Sequence, residues 1–313
     1  MTPRRGGRMV LRETRRLATP ASERALPGAH MARPSPPRVW FVTGAARGLG
    51  RAFAAAALEA GDAVVATARR AEALADLAGP HAERALVLPL DVTDRAAVFA
   101  AVARAVQAFG HLDVVVNNAG YGLVGATEEI GEAEARAQLD TNLFGALWVT
   151  QAVLPHLRGR GSGHIVQISS VGGVGSMATF GLYNAGKWAL EGFSEALAAE
   201  VAPFGIRVTI AELGGFATDW AWASMRFATP APAYDPLRAS LFGSPRVPWD
   251  MSQQAADTSA DPASAARALL AHVDRADGPL RLLIGEDAPG HVRAALERRR
   301  DDYRRDERFE WPA

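Results

Sequence analysis

Arg38-Val39-Trp40-Phe41-Val42-Thr43-Gly44-Ala45-Ala46-Arg47-Gly48-Leu49-Gly50 is the stretch on which the fold turns. It opens as a short apolar run of the length a buried strand has. It then passes through three glycines and continues into an alanine-rich helical pattern reaching residue 60. Glycines between a strand and a helix allow a tight turn and let backbone approach a pyrophosphate, which rests on the helix N-terminus. The spacing is Gly-x-x-x-Gly-x-Gly, not the more familiar Gly-x-Gly-x-x-Gly. Ordinary tight turns carry such clusters too, so the strand before it and the helix after it are what make this a nucleotide candidate.

Outward from that turn the pattern repeats. Further short apolar runs fall at residues 63–67, 85–90, 114–117, 164–169, 207–211 and 280–284, after the first at 39–43. Helical patterns lie between them at 49–60, 95–108, 132–157, 183–202 and 262–273, with a last charged helix over 290–305. Strands alternating with helices predict an α/β fold: one doubly wound, Rossmann-type domain with a parallel seven-stranded sheet and helices on both faces. Right-handed crossovers put its ligand at the carboxyl edge of the sheet. Residues 214–251 break the rhythm with Trp220, Trp222, Met225, Phe227, Tyr234, Phe242 and Trp249 among prolines and serines. This reads as a substrate lid or binding loop, the alternative being a helical excursion packed on the core. Either form covers a pocket for an apolar molecule.

Composition narrows the function. A chain of 313 residues, 49% hydrophobic, can bury one large core or two small ones. With 34 basic and 34 acidic residues, no global field favours nucleic acid or an anionic membrane. The absence of cysteine excludes disulfides, thiolate metal sites and cysteine nucleophiles, and fits a cytoplasmic protein. No apolar stretch approaches the roughly 18 residues of a membrane span. Residues 1–37 are arginine-rich, hold two acidic residues and no aromatic, and are expected to form a disordered extension preceding the domain of residues 38–313. No apolar core of secretory-signal length follows the arginines. A mitochondrial-type presequence is one reading of this extension; a start at Met31 is the preferred one.

Of the 34 basic residues, 33 are arginine and one is lysine, Lys187. It follows Tyr183 by four positions in Tyr183-Asn184-Ala185-Gly186-Lys187, so on a helix the two share a face. Moving a phenol from a pKa of about 10 to near 7 takes roughly 4 kcal/mol. One ammonium at about 4 Å in a partly buried site supplies a comparable amount, making the tyrosine a general acid or base. A rigid, spread guanidinium cannot replace a compact ammonium there. Ser170, thirteen residues before Tyr183 at a strand end, is placed to hold a substrate oxygen facing the phenol. No Gly-x-Ser-x-Gly elbow surrounds Ser169 or Ser170, which argues against a serine nucleophile. Seven scattered histidines give no support to a metal site. The chain's four asparagines fall beside these features: Asn117 and Asn118 end a strand, Asn142 lies inside a helix pattern, and Asn184 lies between tyrosine and lysine. An amide inside a helix is costly unless it bonds a water or a distorted turn.

Taken in order and spacing, residues 43–50, Asn117-Asn118-Ala119-Gly120, Asn142, Ser170, Tyr183 and Lys187 resemble the short-chain dehydrogenase/reductase family, over roughly residues 38–284. The resemblance implies an oxidoreductase interconverting a carbonyl and an alcohol by hydride transfer, with Tyr183 as proton donor or acceptor. Lys187 would lower the phenol's pKa and bond the nicotinamide ribose, Ser170 would orient the substrate oxygen, and Asn142 would hold a water joining Lys187 to solvent. Cofactor contacts implied are Gly44, Arg47, Gly48, Leu49, Gly50, Arg69, Asp91, Val92, Asn118, Ala119, Gly120, Phe216 and Thr218, together with Tyr183 and Lys187. Asp91 would touch the adenine ring and Thr218 the carboxamide. Leu213 departs from the family's usual proline. Family members using NAD place an acidic residue where this chain has Ala68, and Arg69 follows it while Arg47 sits in the glycine turn. Those residues suit the 2′-phosphate of NADP(H) in preference to NAD(H). Also implied are a lipophilic carbonyl or alcohol substrate, with a ketoacyl-type reductase as the nearest rival, and a homodimer or homotetramer. A nucleotide-sensing protein without catalysis is the alternative from another class.

Overall fold

The computed structural model describes residues 36–216, 224–248 and 260–310. Residues 1–35 of the extension expected over residues 1–37, and Thr218, Trp220, Trp222 and Trp249, lie outside the described residues. Strand β1 (Val39–Val42) is buried along its whole length, Trp40 and Phe41 completely. Its residues alternate between two cores: Trp40 and Val42 pack on one side of the sheet, Val39 and Phe41 on the other. Apolar side chains on both faces are what a strand covered by helices on both sides requires. Burying a side chain such as Phe41 contributes about 1.5–3 kcal/mol.

The turn at Gly44 and Gly48 leads into helix α1 (Gly48–Glu59), whose Gly50, Phe53, Ala54, Ala57 and Leu58 form one buried stripe at helical spacing. Strand β2 (Ala63–Ala68) follows, then the single turn α2 (Ala75–Ala78), β3 (Ala85–Pro89) and α3 (Arg95–Phe109). Helix α3 starts where the Asp94 carboxylate accepts from Ala97 N at 2.9 Å and ends at Gly110 in the left-handed region. Next come β4 (Val114–Asn117), β5 (Gly122–Val124) and α4 (Glu132–Leu139). A π turn over Asp140–Phe144 joins α4 to α5 (Gly145–Arg160), so the one helix expected over 132–157 carries a distortion at Asn142. Strand β6 (Gly163–Ile168), α6 (Gly181–Val201) and β7 (Ile206–Leu213) complete the central part.

Sheet order is β3-β2-β1-β4-β6-β7-β9, all parallel, with β9 (Arg281–Ile284) at the edge. One face carries α1 and α8 (Pro262–Asp274), the other α3, α5 and the carboxyl half of α6. A doubly wound sheet was legible from the alternation of strands and helices, and it is what the chain forms.

Among residues 224–248, part of the stretch read as a lid, regular elements form. Strand β8 (Met225–Phe227) pairs in parallel with β5 as a separate two-stranded sheet, and α7 (Asp235–Phe242) follows. A three-residue strand shows no usable periodicity, which is why the sequence did not reveal it. The excursion is tied down at one buried ion pair: Arg238 Nη1 lies 2.5 Å from Glu129 Oε1, with both side chains no more than 3% exposed. Helix α9 (Ala288–Tyr303) closes the described chain. Among the described residues no helix is long and apolar enough to cross a membrane.

Candidate active site

A cleft of about 850 Å³ opens at the carboxyl edge of the sheet, where the order reverses between β1 and β4. Its floor is the glycine turn. Gly44 and Gly48 take φ of 66° and 56°, in the region that favours glycine. A Cβ on Gly50 would stand 2.3 Å from Asn118 Nδ2 and 2.5 Å from the Gly44 carbonyl, so only glycine lets α1 approach the strand ends this closely. Asn118 Nδ2 donates to the carbonyls of Thr43 (2.9 Å) and Gly44 (3.2 Å). Thr43 Oγ1 accepts from the amides of Asn118 (2.9 Å) and Ala119 (3.0 Å). These bonds stitch the ends of β1 and β4 into one cradle. Asn117 points elsewhere: its amide donates to Gln167 Oε1 at 3.0 Å and holds β4 to β6.

No side chain caps α1, leaving its first amides facing the cleft. Gly44, Arg47, Gly48, Leu49, Gly50, Arg69, Asp91, Val92, Asn118, Ala119, Gly120 and Phe216 all line this one cavity. Arg47 and Arg69 are exposed at its rim, and Ala68 is buried at the end of β2. Asp91 gives one oxygen to the turn, accepting from Thr93 N (3.0 Å) and Thr93 Oγ1 (2.8 Å). A basic rim, a cradle admitting no side chain and a helix N-terminus together fit a dinucleotide phosphate.

The opposite wall carries Ser170, Tyr183 and Lys187. Ser170 follows β6 and caps the short turn Val171–Gly173, its Oγ accepting from Gly172 N at 3.1 Å. Asn184 holds the loop beyond it, donating to the Gly172 carbonyl (2.9 Å) and accepting from Met177 N (3.2 Å). Tyr183 and Lys187 stand one turn apart on α6, 8% and 7% exposed. Burial pushes the Tyr183 phenol up to about 12, opposed by a hydrogen bond with Ser170. Burial brings Lys187 down to about 8, opposed by the charge of Glu191. The Lys187 ammonium donates to the Ile168 carbonyl at 2.7 Å and lies 5.9 Å from the centre of the Tyr183 ring.

That geometry corrects the Coulomb argument made from sequence. The ammonium is directed at the Ile168 carbonyl, and burial raises the phenol's pKa where the spacing argument lowered it. Asn142 is likewise more committed than expected. Its Oδ1 accepts from Tyr121 N at 3.0 Å and its Nδ2 donates to the Tyr121 carbonyl at 2.8 Å, so one donor and one acceptor position of the amide are already engaged. Leu213 stands in the ladder opposite Ile284, extending β7 to the cleft edge. Thr218 falls outside the described residues. Among the described residues no group of three acidic or histidine side chains could hold a metal ion.

Several cleft and near-cleft residues escaped the sequence. Arg226 of β8 lies 4.5 Å over the Tyr121 ring and lines the cleft. Glu191, Glu212 and Arg281 gather behind Lys187. Only Glu191 had a signal, its spacing of four from Lys187; the rest are brought in by separate elements.

A family model described as short chain dehydrogenase matches residues 38–227. Among characterised sequences, the oxidoreductase BOA17 of Botryotinia fuckeliana is 42% identical over 261 residues, 83% of this chain and 93% of its own. A 3-ketodihydrosphingosine reductase of Bacteroides thetaiotaomicron is 39% identical over 182 residues, 58% of this chain and 65% of its own. A solved short-chain dehydrogenase from Streptomyces avermitilis superposes with a TM-score of 0.79 at 43% identity, covering 87% of this chain and 96% of its own. Of two Burkholderia structures, the one from B. cenocepacia was solved with NADP (TM-score 0.66, 26% identity, 86% of this chain and 97% of its own). The other, from B. phymatum, was solved with NAD (TM-score 0.73, 88% of this chain and 98% of its own) and at 22% identity supports the fold alone.

Proposed function

The chain belongs to the short-chain dehydrogenase family, an NAD(P)-dependent oxidoreductase by that membership, and we propose that it is an NADP(H)-dependent reductase of carbonyl groups on lipophilic substrates. The observation that carries this reading is the wall formed by Ser170, Tyr183 and Lys187 across one cleft from the glycine cradle. A nicotinamide dinucleotide bound in that cradle supplies the hydride. The chain's own residues do the rest. Tyr183, protonated at neutral pH, gives its proton to the substrate oxygen, and Ser170 holds that oxygen in line. Lys187 keeps a positive charge beneath the site, and Asn142 holds the water that links it to solvent.

Arg47 and Arg69 favour a 2′-phosphate, and Ala68 offers no carboxylate to repel it. Gly44, Gly48, Leu49, Gly50, Asn118, Ala119 and Gly120 receive the phosphates and the nicotinamide side, Asp91 and Val92 the adenine, and Phe216 and Thr218 the carboxamide. The substrate side is apolar: Val124, Phe180 and Met225 pack around Tyr183, with Phe227 and Phe242 against them. Residues 214–251 act as its lid. The similarity to a 3-ketodihydrosphingosine reductase supports a keto group on a lipid-like molecule, close to the ketoacyl-type alternative. Work in the cytoplasm as a homodimer or homotetramer completes the proposal.

The test is oxidation of NADPH and of NADH by the purified chain across aldehydes, ketones, ketosteroids and 3-keto lipids. Turnover with an apolar carbonyl, and NADPH binding at least about tenfold tighter than NADH (near 1.4 kcal/mol), are expected. Tyr183→Phe is expected to abolish turnover while binding nucleotide normally. Equal nucleotide affinities would sink the cofactor assignment, and a Tyr183→Phe variant retaining more than about a tenth of the rate would sink the mechanism.

A further inference from the structure

Behind Lys187, on the side away from the cleft, lies a buried charged cluster that the reaction just described does not use. Glu191 follows Lys187 by one helical turn on the same face of α6, and its side chain is 7% exposed. Arg281, reaching in from β9, places Nη2 3.3 Å from Glu191 Oε2 and Nε 2.9 Å from Glu212 Oε1. Glu212, on β7, has no exposed side-chain surface, and Arg281 also pairs with the half-exposed Glu195 of α6. Gly173 makes room for this arrangement. A Cβ there would lie 2.6 Å from Ser169 Oγ and 2.9 Å from Glu191 Oε1, so hydroxyl and carboxylate crowd the same point. The strand that delivers Ser170, the helix that carries Tyr183 and Lys187, and the two last strands of the sheet therefore converge on one carboxylate.

The charges facing it can be taken element by element. Lys187 and Glu195 come from α6, Glu212 from β7, Arg281 from β9, and the Ser169 hydroxyl from the end of β6; Tyr183 faces Lys187 from the cleft side. Arg281 is always charged, but one guanidinium cannot hold two buried carboxylates ionised at once. Glu212 is the one pushed up to about 7, by burial first and then by the charge of Glu191. Burial raises Glu191 as well, but the Ser169 hydroxyl and Arg281 both favour its ionised form. An ionised Glu191 is the group that opposes the loss of Lys187's proton to burial.

We infer that Glu191 is a positioning residue for Lys187: held by Arg281 one helical turn along the same face, its carboxylate keeps the buried amine an ammonium directed at the Ile168 carbonyl. The consequence for catalysis rests on the role proposed for Lys187, whereas the coupling itself does not depend on any substrate.

Because Lys187 is the chain's single lysine, protein grown on lysine labelled with ¹³C at Cε gives one side-chain resonance. Its shift against pH reads this amine alone in the full chain, without nucleotide or substrate. Glu191→Gln is expected to lower the titration midpoint by about one unit, a tenfold loss of proton affinity, because the charge opposing desolvation of Lys187 is gone. Glu212→Gln, which disturbs the same Arg281 without touching Lys187, is expected to leave the midpoint within about 0.3 units. Glu191→Asp keeps the charge but withdraws it by one methylene, and is expected to fall between wild type and Glu191→Gln. A Glu191→Gln midpoint unmoved from wild type overturns the inference, as does an equal fall in Glu212→Gln. Should Glu191→Gln not fold, Glu191→Asp carries the test, an unmoved midpoint again overturning it. A falling midpoint in a protein whose turnover survives loss of Lys187 leaves the coupling standing and refutes the catalytic assignment instead.

Discussion

Acid should weaken this fold through His164, and the size of the effect follows from where that imidazole sits. His164 lies in β6, the strand that delivers Ser170, and is 3% exposed. Its Nε2 is 2.7 Å from Thr209 Oγ1 of β7, and that hydroxyl is 2.8 Å from Nε2 of His272 on α8. One hydroxyl donates once, so one ring accepts from it and the other donates to it. A doubly protonated His164 would need an acceptor for Nδ1 as well, and among the described residues that buried atom has none. Burial, with the cationic side chains of Arg207 and Arg38 and the neighbouring His272, accordingly pushes His164 down from 6.5 to about 3. Below pH 6.5 the unfolded chain takes up a proton that the folded chain refuses. The contribution is therefore complete above about pH 6.5 and is lost progressively as pH falls toward 3. Between about pH 7.5 and pH 5 the loss is roughly 2 kcal/mol. His272, pushed down by burial beside Arg207 and Arg275, acts in the same direction. His164→Gln keeps a polar group for Thr209 and removes the titration. Urea unfolding of both proteins at the two pH values gives the comparison. Wild type should lose about 2 kcal/mol more than the variant. Equal losses would refute the assignment of this sensitivity to His164.

Gly50→Ala should lower NADPH affinity at least about tenfold and cost about 1–3 kcal/mol of stability, since its Cβ meets the Gly44 carbonyl at 2.5 Å. Gly181→Ala, with nothing within 4 Å, is the matched control in fluorescence titration and urea unfolding, and equal behaviour of the two would contradict the cradle. Glu129→Gln should remove the buried one of Arg238's two carboxylate partners, leaving the half-exposed Asp235, a loss of about 2 kcal/mol borne by the local excursion rather than the whole domain. Limited proteolysis should then cut residues 225–248 well before global unfolding, and unchanged cleavage would argue against this tether. Lys187→Arg should reduce turnover by about 10²-fold or more despite keeping the charge, and a near-normal rate would disprove the need for a compact ammonium.

What the sequence disclosed and what it hid divide along a physical line. The sheet could be read because β1 and the first three residues of β4 are unbroken apolar runs, a pattern that survives without knowledge of neighbours. The cradle could be read because Gly44 and Gly48 take positive φ and Gly50 faces the Gly44 carbonyl, demands that arise within the turn itself. By contrast, β8 is three residues long and owes its existence to β5, about a hundred positions earlier. Glu129 and Arg238 are 109 positions apart, and each alone is an ordinary charged residue. Arg281 likewise meets Glu191 and Glu212 only once three elements are stacked. The phenol's pKa was misjudged for a related reason. A Coulomb term between near neighbours can be drawn from spacing, whereas desolvation depends on everything packed around Tyr183.

The structure also answers why a chain with 33 arginines keeps one lysine. Lys187 occupies a slot 7% exposed, in which a single carbonyl, that of Ile168, receives its proton at 2.7 Å. A guanidinium brings five N–H donors in a rigid fork, and most of them would be buried there without acceptors. Each such donor costs about 1–3 kcal/mol, so arginine would force the slot open or swing outward. An exposed guanidinium meets no such penalty, and the buried Arg238 escapes it because Glu129, Asp235, Ala231 and Pro245 all accept from it. The compact ammonium can also be pulled down to about 8 by burial and held up by a carboxylate one turn away. A guanidinium near 12.5 offers no such adjustment within the physiological range. The lone lysine therefore marks the one position where the side chain's charge must be both buried and tunable.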